Sequence, residues 1–131
     1  MRKFYLLVSL VVLGVVIFAS GKPTDISATI KENIMSMPKQ PLSSKEVEAI
    51  LWMREEEKLA RDVYITLYEI WKLPIFINIS KSEQTHTDAV KALIEKYGLS
   101  DPVKSNKVGE FSNKEIKKLY DQLVEQVKNL S

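Results

Sequence analysis

The sequence predicts an all-α protein built from up-down helices, and two observations support that prediction. Apolar residues recur at spacings of three and four in three long segments, at about 43–72, 74–98 and 112–129, and this is the period of one helix face. Capping and stop signals flank these segments, and we find no convincing strand pattern between them. The sequence therefore indicates one helical domain over residues 43–131.

The first 21 residues have the pattern of an export signal. Met1-Arg2-Lys3 is basic, residues 4–19 carry no charge, and small residues follow at 19–21. We expect a cleaved signal peptide or a retained signal anchor, because the apolar run is slightly short for the roughly 20 residues that span a membrane. Either alternative makes the rest extracytoplasmic, with membrane contact only through this segment. A proline-containing linker is predicted at 22–42, with a short helical turn near Ile30 to Met35.

Composition excludes several classes of function. The net charge is +2, and because Arg2 and Lys3 account for it, the remaining 17 basic residues balance 17 acidic ones. No basic block stands out, so the sequence indicates no nucleic-acid partner. The chain has no cysteine, which excludes disulfides and thiolate chemistry. Stability must therefore come from packing, oligomerisation or a metal.

The first main helix is predicted to begin at Ser43. Ser43 and Glu46 fit a capping box, in which each side chain accepts a hydrogen bond from the other residue's free backbone N–H. No glycine or proline follows until Pro74. Glu57 occupies the one missing step in an otherwise apolar seam. The seam consists of Ile50, Met53, Ala60, Tyr64, Leu67 and Trp71.

The second main helix is predicted from Pro74, which suits a first-turn position because its missing N–H is not needed there. Gly98 supplies a left-handed C-terminal cap, and Pro102 prevents resumption. Two residues separate the first two helices, so we expect an antiparallel hairpin. In the apolar seam of the second helix, Glu83 and His86 fill the two steps where an apolar residue is missing. The apolar members of this seam are Phe76, Ile79, Val90, Leu93 and Tyr97.

The third main helix is predicted after Ser112. Ser112 and Glu115 fit another capping box, and Phe111 can pack against Ile116 as a hydrophobic staple. Its seam is apolar throughout, so this helix offers packing and no recognisable chemistry. The seam residues are Ile116, Leu119, Leu123, Val127 and Leu130.

Three residues whose side chains could bind a metal or transfer a proton lie where the helical period requires core residues. Glu57, Glu83 and His86 are predicted to turn inward, and a buried carboxylate costs several kcal/mol unless it is paired or binds a metal. Glu83 and His86 are three residues apart and lie about one turn apart on one face. Carboxylate and imidazole together suit iron, manganese or zinc. The pattern therefore predicts half of a carboxylate–histidine metal site, since bundles of the di-iron kind use two single Glu and two Glu-x-x-His sets.

Structural alternatives remain open for Glu83 and His86. Ser80 and Glu83 also fit a capping box, which would start the second helix later and expose Glu83. The unbroken seam from Phe76 argues against that alternative. His86 could equally be a core histidine that is hydrogen-bonded to a backbone or carboxylate partner.

Glu57 also has a structural alternative. It could pair with Arg54 or Arg61 on its own helix. Glu55 and Glu56 belong to a charged run that is expected to face solvent. Glu56 is the substitute ligand if the phase of the helix is shifted by one residue.

Several motifs resemble known families. Residues 57–64 (EKLARDVY) are similar to the first metal-binding helix of rubrerythrins, and residues 83–86 (EQTH) to the ligand pair of the second. A closer resemblance, over roughly residues 43–126, is to a ferritin-like family of exported prokaryotic proteins classed as domain of unknown function 2202. The motifs that carry it are 53–64, 82–86, Asp101-Pro102 and 108–113.

The resemblance implies a ferritin-like bundle in which Glu57, Glu83 and His86 bind iron or manganese for redox work on dioxygen or peroxide. It also implies that Tyr64 lies beside the ligands. Proteins of this kind usually continue into helices that bear a second Glu and a second histidine, whereas His86 is the only histidine of this chain.

We therefore expect a homodimer, in which two half-sites restore the full ligand set about a twofold axis. A single-ion storage or transport site is one alternative. A non-catalytic extracytoplasmic helical interaction module with a vestigial half-site is another.

Overall fold

The computed structural model describes residues 26–130, which form four α-helices and contain no strand within that range. The helices are α1 (Ile26–Ser36), α2 (Ser44–Trp71), α3 (Pro74–Tyr97) and α4 (Lys114–Lys128). The all-α prediction is confirmed, and α2 to α4 are the three main helices expected from sequence. The export segment predicted at 1–21 lies outside the described residues. Within the described residues, no helix has the length and apolar character needed to cross a membrane.

The α2/α3 hairpin forms as its local signals predict. Ser43 caps α2 reciprocally with Glu46: the Ser43 N–H lies 2.7 Å from the Glu46 carboxylate, and the Glu46 N–H lies 3.2 Å from the Ser43 hydroxyl. Lys72 turns the chain in the left-handed region with a φ of 54°, and Pro74 then opens α3. Gly98, with a φ of 65°, ends α3. The two longest helices therefore lie antiparallel and pack against each other along their length.

The predicted linker at 22–42 contains more structure than the sequence indicates. An eleven-residue helix, α1, packs on α3 where a short turn near residues 30–35 was expected. The buried ammonium of Lys96 donates hydrogen bonds to the carbonyl oxygens of Ile34, at 2.6 Å, and Met37, which lie at the C-terminal end of α1. A cation at this end complements the helix dipole. The interaction joins residues about 60 positions apart, so local patterning gives no sign of it.

The start of α4 differs from the prediction by one residue. Asn113, not Ser112, is the cap, and its side-chain oxygen accepts from the N–H groups of Glu115, at 2.8 Å, and Ile116, at 3.2 Å. The predicted Ser112–Glu115 capping box is therefore wrong. The Ser112 hydroxyl instead donates to the Pro102 carbonyl oxygen, which ties it to the preceding loop.

The deepest packing of α2 lies on the side opposite its predicted seam. Leu59 of α2 joins Ile116 and Tyr120 of α4 in a buried apolar cluster. Met53 and Asp62 lie about 180° apart on the helix, at roughly 100° per residue, and it is Asp62 that is fully buried. The seam itself is half-buried at Ile50, Met53, Ala60, Tyr64 and Leu67, and Trp71 is 43% exposed.

Buried charges on α2 hold the loop between α3 and α4. The Asp62 carboxylate accepts from the Lys58 ammonium at 2.7 Å and from the Gly109 N–H at 3.0 Å. The Lys58 ammonium also donates to the carbonyl oxygens of Lys107, at 2.8 Å, and Glu110, at 2.9 Å. Because these bonds satisfy the loop's backbone groups, the charged side of α2 fixes the path of the loop. We call these buried charged residues of α2 the loop template.

Glu55 belongs to the same template, and its prediction as a solvent-facing residue is wrong. It is 2% exposed, and its carboxylate accepts from the backbone N–H groups of Ser112 and Asn113. Gly109 fits the loop closely, because its φ is +83° and a Cβ there would lie 2.9 Å from the Tyr120 ring. The loop path is thus fixed by a carboxylate, an ion pair and one glycine.

Candidate metal centre

The three predicted ligands come together between α2 and α3. Glu57 and Glu83 are 7% and 6% exposed, and the His86 side chain is 16% exposed. One potential ligand atom from each residue lies within 4.8 Å of the other two. Glu57 therefore faces the neighbouring helix, as the missing step in its seam predicted.

The cluster occupies the middle of the hairpin. Glu57 is the fourteenth of the 28 residues of α2. Glu83 and His86 are the tenth and thirteenth of the 24 residues of α3. Antiparallel helices joined by a tight turn bring residues at equal distances from the turn side by side, and this pairing places Glu57 opposite the Glu83–His86 turn.

Two interhelical contacts flank the cluster and hold its register. Arg54, one turn before Glu57, donates to the Thr87 hydroxyl at 2.6 Å and to the Thr87 carbonyl oxygen at 3.1 Å. The Thr87 hydroxyl donates back to the Arg54 carbonyl oxygen at 2.9 Å. On the other side, Arg61 donates to the Gln84 side-chain oxygen at 2.7 Å. These contacts limit sliding of one helix past the other, so they fix the ligand spacing.

The structure decides against the ion-pair alternative for Glu57. Arg54 binds Asp101 at 3.1 Å, and Arg61 binds Asp62 at 2.6 Å. Both guanidinium groups are thus engaged with other carboxylates. Glu57 instead approaches His86, with its Oε2 atom 3.4 Å from the imidazole Nδ1 atom.

The alternatives for Glu83 and Glu56 are also settled by the geometry. Helix α3 runs unbroken from Pro74, and the Ser80 hydroxyl donates to the Ile77 carbonyl oxygen at 2.8 Å, so the Ser80–Glu83 capping box is wrong. Glu56 is half-buried and lies outside the cluster of three. Burial raises the pKa of Glu56, and the adjacent Glu57 carboxylate raises it further.

The imidazole of His86 supplies the positive charge in this cluster. Its Nδ1 atom lies 3.0 Å from Glu83 Oε2, and hydrogen bonds to Glu57 and Glu83 raise the His86 pKa from 6.5 to about 9. Near neutral pH the imidazolium therefore offsets part of the charge of two buried carboxylates. A divalent cation could replace that proton, because it would meet the same three atoms.

The donor set fits a divalent transition metal. Two carboxylates and one imidazole are hard and borderline ligands, which iron, manganese and zinc accept. Three protein ligands do not fill a tetrahedral or octahedral shell, so positions remain for water, substrate or further protein ligands. In these buried surroundings, a divalent cation would offset more of the charge of the two carboxylates than one imidazolium does.

Tyr64 packs in the interface between the two helices. Its ring stacks against Phe76 with centroids 6.4 Å apart. This is a packing contact, and it lies between the ligands and the hairpin turn. The residues that sequence reasoning missed are Arg54, Thr87 and Gln84, which set the register around the ligands. Their pairings span 23 to 33 positions, so no local spacing marks them.

Comparisons with known proteins identify relatives over most of the chain. Residues 46–130 match the family described as "Uncharacterized protein domain (DUF2202)". The uncharacterized protein MJ0754 of Methanocaldococcus jannaschii is 62% identical over 94 residues, which cover 72% of this chain and 51% of that protein. The crystal structure of hypothetical protein MJ0754 from Methanococcus jannaschii is similar at a TM-score of 0.69 and 61% identity, covering 70% of this chain and 53% of that one. This chain thus spans about half the length of the relatives it matches. On the strength of these matches, it belongs to the DUF2202 family.

Proposed function

We propose that this protein binds iron or manganese through Glu57, Glu83 and His86. The observation that carries the proposal is the convergence of three such side chains, from two helices, within 4.8 Å in a largely buried position. Each offers a ligand atom, and the interhelical contacts on either side hold them in place. The site would bind the cation as two carboxylates and one neutral imidazole.

The identity of the positive partner distinguishes this cluster from the other buried charges. Asp101 is paired with the Arg54 guanidinium, and Asp62 is paired with the Lys58 ammonium. Glu57 and Glu83 are paired with a histidine, whose proton is labile and whose imidazole can bind a metal. These two ion pairs thus use Arg and Lys, whereas the candidate site uses a histidine, which can exchange a proton for a metal.

The resemblance to ferritin-like proteins and rubrerythrins extends the proposal to redox chemistry. Iron bound at the site would supply electron transfer to dioxygen or peroxide. The protein's own contribution would be to hold the ion with Glu57, Glu83 and His86 and to leave coordination positions for the oxidant. The export signal predicted at 1–21 would make this function extracytoplasmic.

Metal titration of matched variants tests the proposal. The protein is purified without oxygen, stripped with a chelator, and dialysed against Fe(II) or Mn(II) before the metal-to-chain ratio is measured. Glu83→Ala and His86→Ala should each retain less than about a tenth of the wild-type metal. Glu69→Ala, which removes an exposed carboxylate from α2, is the control and should retain it all. Equal metal in all four proteins would refute metal binding at this cluster.

One observation favours a second candidate, an extracytoplasmic helical interaction module. The apolar seam of α2 is half-buried rather than covered, and Trp71 and Ile75 are 43% and 56% exposed. Exposed apolar surface of this kind is typical of binding faces. Equal metal content in wild type and site variants would leave this candidate as the preferred function.

A further inference from the structure

One face of the α2/α3 hairpin is apolar and only partly covered. We call it the open face and define it by Ile50, Met53, Ala60, Tyr64, Leu67 and Trp71 of α2 together with Ile79 and Leu93 of α3. All are half-buried except Trp71, which is 43% exposed. From Ile50 to Trp71 the face extends about 32 Å at 1.5 Å per residue. A stripe of this length resembles one side of a helix–helix interface.

The candidate metal ligands lie along the open face. Glu57 falls four residues after Met53 and three before Ala60, so it continues their stripe. His86 lies seven residues from both Ile79 and Leu93, or two turns in each direction. Whatever covers this face therefore lies next to the ligand cluster.

The ligand cluster lies near the middle of the hairpin. An antiparallel pairing of two hairpins would therefore bring their two clusters together. A twofold axis perpendicular to two hairpins keeps their helices fully overlapped only when it passes near the helix midpoints. Glu57 is at the midpoint of α2, and Glu83 and His86 straddle the midpoint of α3. A cluster near one end would be carried to the opposite end of the partner. Here the two clusters would meet.

The ligand count points to the same arrangement. One chain supplies one Glu and one Glu-x-x-His set, which is half of the complement that bundles of the di-iron kind use. Two chains supply four carboxylates and two imidazoles, whose charge two divalent cations balance.

We propose that a second copy of this chain packs antiparallel on the open face, about a twofold axis at the helix midpoints, so that the Glu57, Glu83 and His86 of both copies form one site for two divalent cations. This inference rests on the proposed metal function and names the partner that completes the site. The four carboxylates of two clusters would meet across the axis, where divalent cations would offset their mutual repulsion. Metal binding should therefore strengthen the dimer.

Sedimentation of the full chain with and without Mn(II) tests the pairing. We expect Mn(II) to tighten the dimer by at least about tenfold, with one ion bound per chain. Leu67→Glu places a charge on the open face, away from the ligands, and should give a monomer that binds Mn(II) at least about tenfold more weakly. Leu119→Glu is the matched control, because Leu119 is an exposed leucine of α4, outside the open face. It should behave as wild type.

Trp71→Glu provides an independent variant if Leu67→Glu loses helicity, because Trp71 is already 43% exposed in the single chain. A wild-type monomer that holds Mn(II) would overturn the pairing and leave the proposed function standing. A dimer that both open-face variants leave intact would overturn it as well. A chain that binds neither Mn(II) nor, without oxygen, Fe(II) in any state would refute the proposed function, and the shared site with it.

Discussion

The Nδ1 atom of His86 lies 3.0 Å from the carboxylate oxygen of Glu83, one helical turn away on α3, and Glu57 approaches the same nitrogen from α2 at 3.4 Å. Because the His86 pKa is raised to about 9, the imidazole is protonated near neutral pH when no metal is bound. That proton has to leave before the imidazole can bind a cation. Much of the site's measurable behaviour follows from this competition.

Metal binding should release protons at neutral pH. The pKa of His86 is raised from 6.5 to about 9 by its hydrogen bonds to the two carboxylates, so the imidazole is protonated at about pH 7. Mn(II) binding should release close to one proton per site. Calorimetric titrations in buffers of different ionisation enthalpy measure that number directly. Binding without proton release at about pH 7 would show that His86 is not a ligand.

The stability of the metal-free protein should fall at alkaline pH. Because the folded-state pKa of His86 is raised above its unfolded value, its contribution is complete below about pH 6 and is lost as the pH rises through about 9. We expect a loss of at most about 2 kcal/mol, since solvent reaches part of the side chain. Urea unfolding at several pH values measures it. His86→Gln should show a flatter profile between about pH 6 and pH 10, and an unchanged profile would contradict the assignment.

Glu55 should contribute to stability without affecting the metal. Its buried carboxylate accepts hydrogen bonds from the N–H groups of Ser112 and Asn113. Glu55→Gln places an amide where two donors require acceptors, so we expect a loss of about 1–3 kcal/mol in the free energy of unfolding. Glu48→Gln, at an exposed position on the same helix, should change it by less than about 0.5 kcal/mol. Equal effects of the two substitutions would show that the carboxylate does not hold the loop.

Lys58 should be the most sensitive position of the loop template. It is 1% exposed and donates to Asp62 and to two loop carbonyl oxygens. Lys58→Met removes the cation and leaves these acceptors buried. We expect a loss of about 2–4 kcal/mol, below the full cost of breaking a buried pair because Arg61 still contacts Asp62. Thermal unfolding beside the exposed control Lys118→Met measures the difference, and a loss equal to the control's would contradict this role.

The helices could be predicted from sequence because most of their signals are local. The Ser43 cap, the Pro74 start and the Gly98 stop each depend on residues within a few positions of one another. The cap of α4 was misplaced by one residue because Ser112 and Asn113 are both good capping residues. A distant carboxylate, Glu55, engages the backbone N–H groups of both. Only a short turn of helix α1, near residues 30–35, was predicted, because the full helix is held by Lys96 of α3.

The candidate site was predictable for a different reason. Glu57, Glu83 and His86 interrupt apolar seams at helical spacing, and that interruption is visible in a single sequence. The seam of α2, however, was expected to form the deep core, and the structure buries the charged side around Lys58 and Asp62 instead. Hydrophobic periodicity finds the apolar face of a helix. It does not reveal that the loop between α3 and α4 covers the opposite face and binds its charged side chains through backbone N–H and carbonyl groups.

The most direct test of the central claim is an anomalous-difference map from crystals of the protein grown with Mn(II) or, without oxygen, with Fe(II). We predict a peak within about 2.0–2.3 Å of carboxylate oxygens of Glu57 and Glu83 and a ring nitrogen of His86. A map with no peak at this cluster, from protein saturated with the metal, would contradict the account.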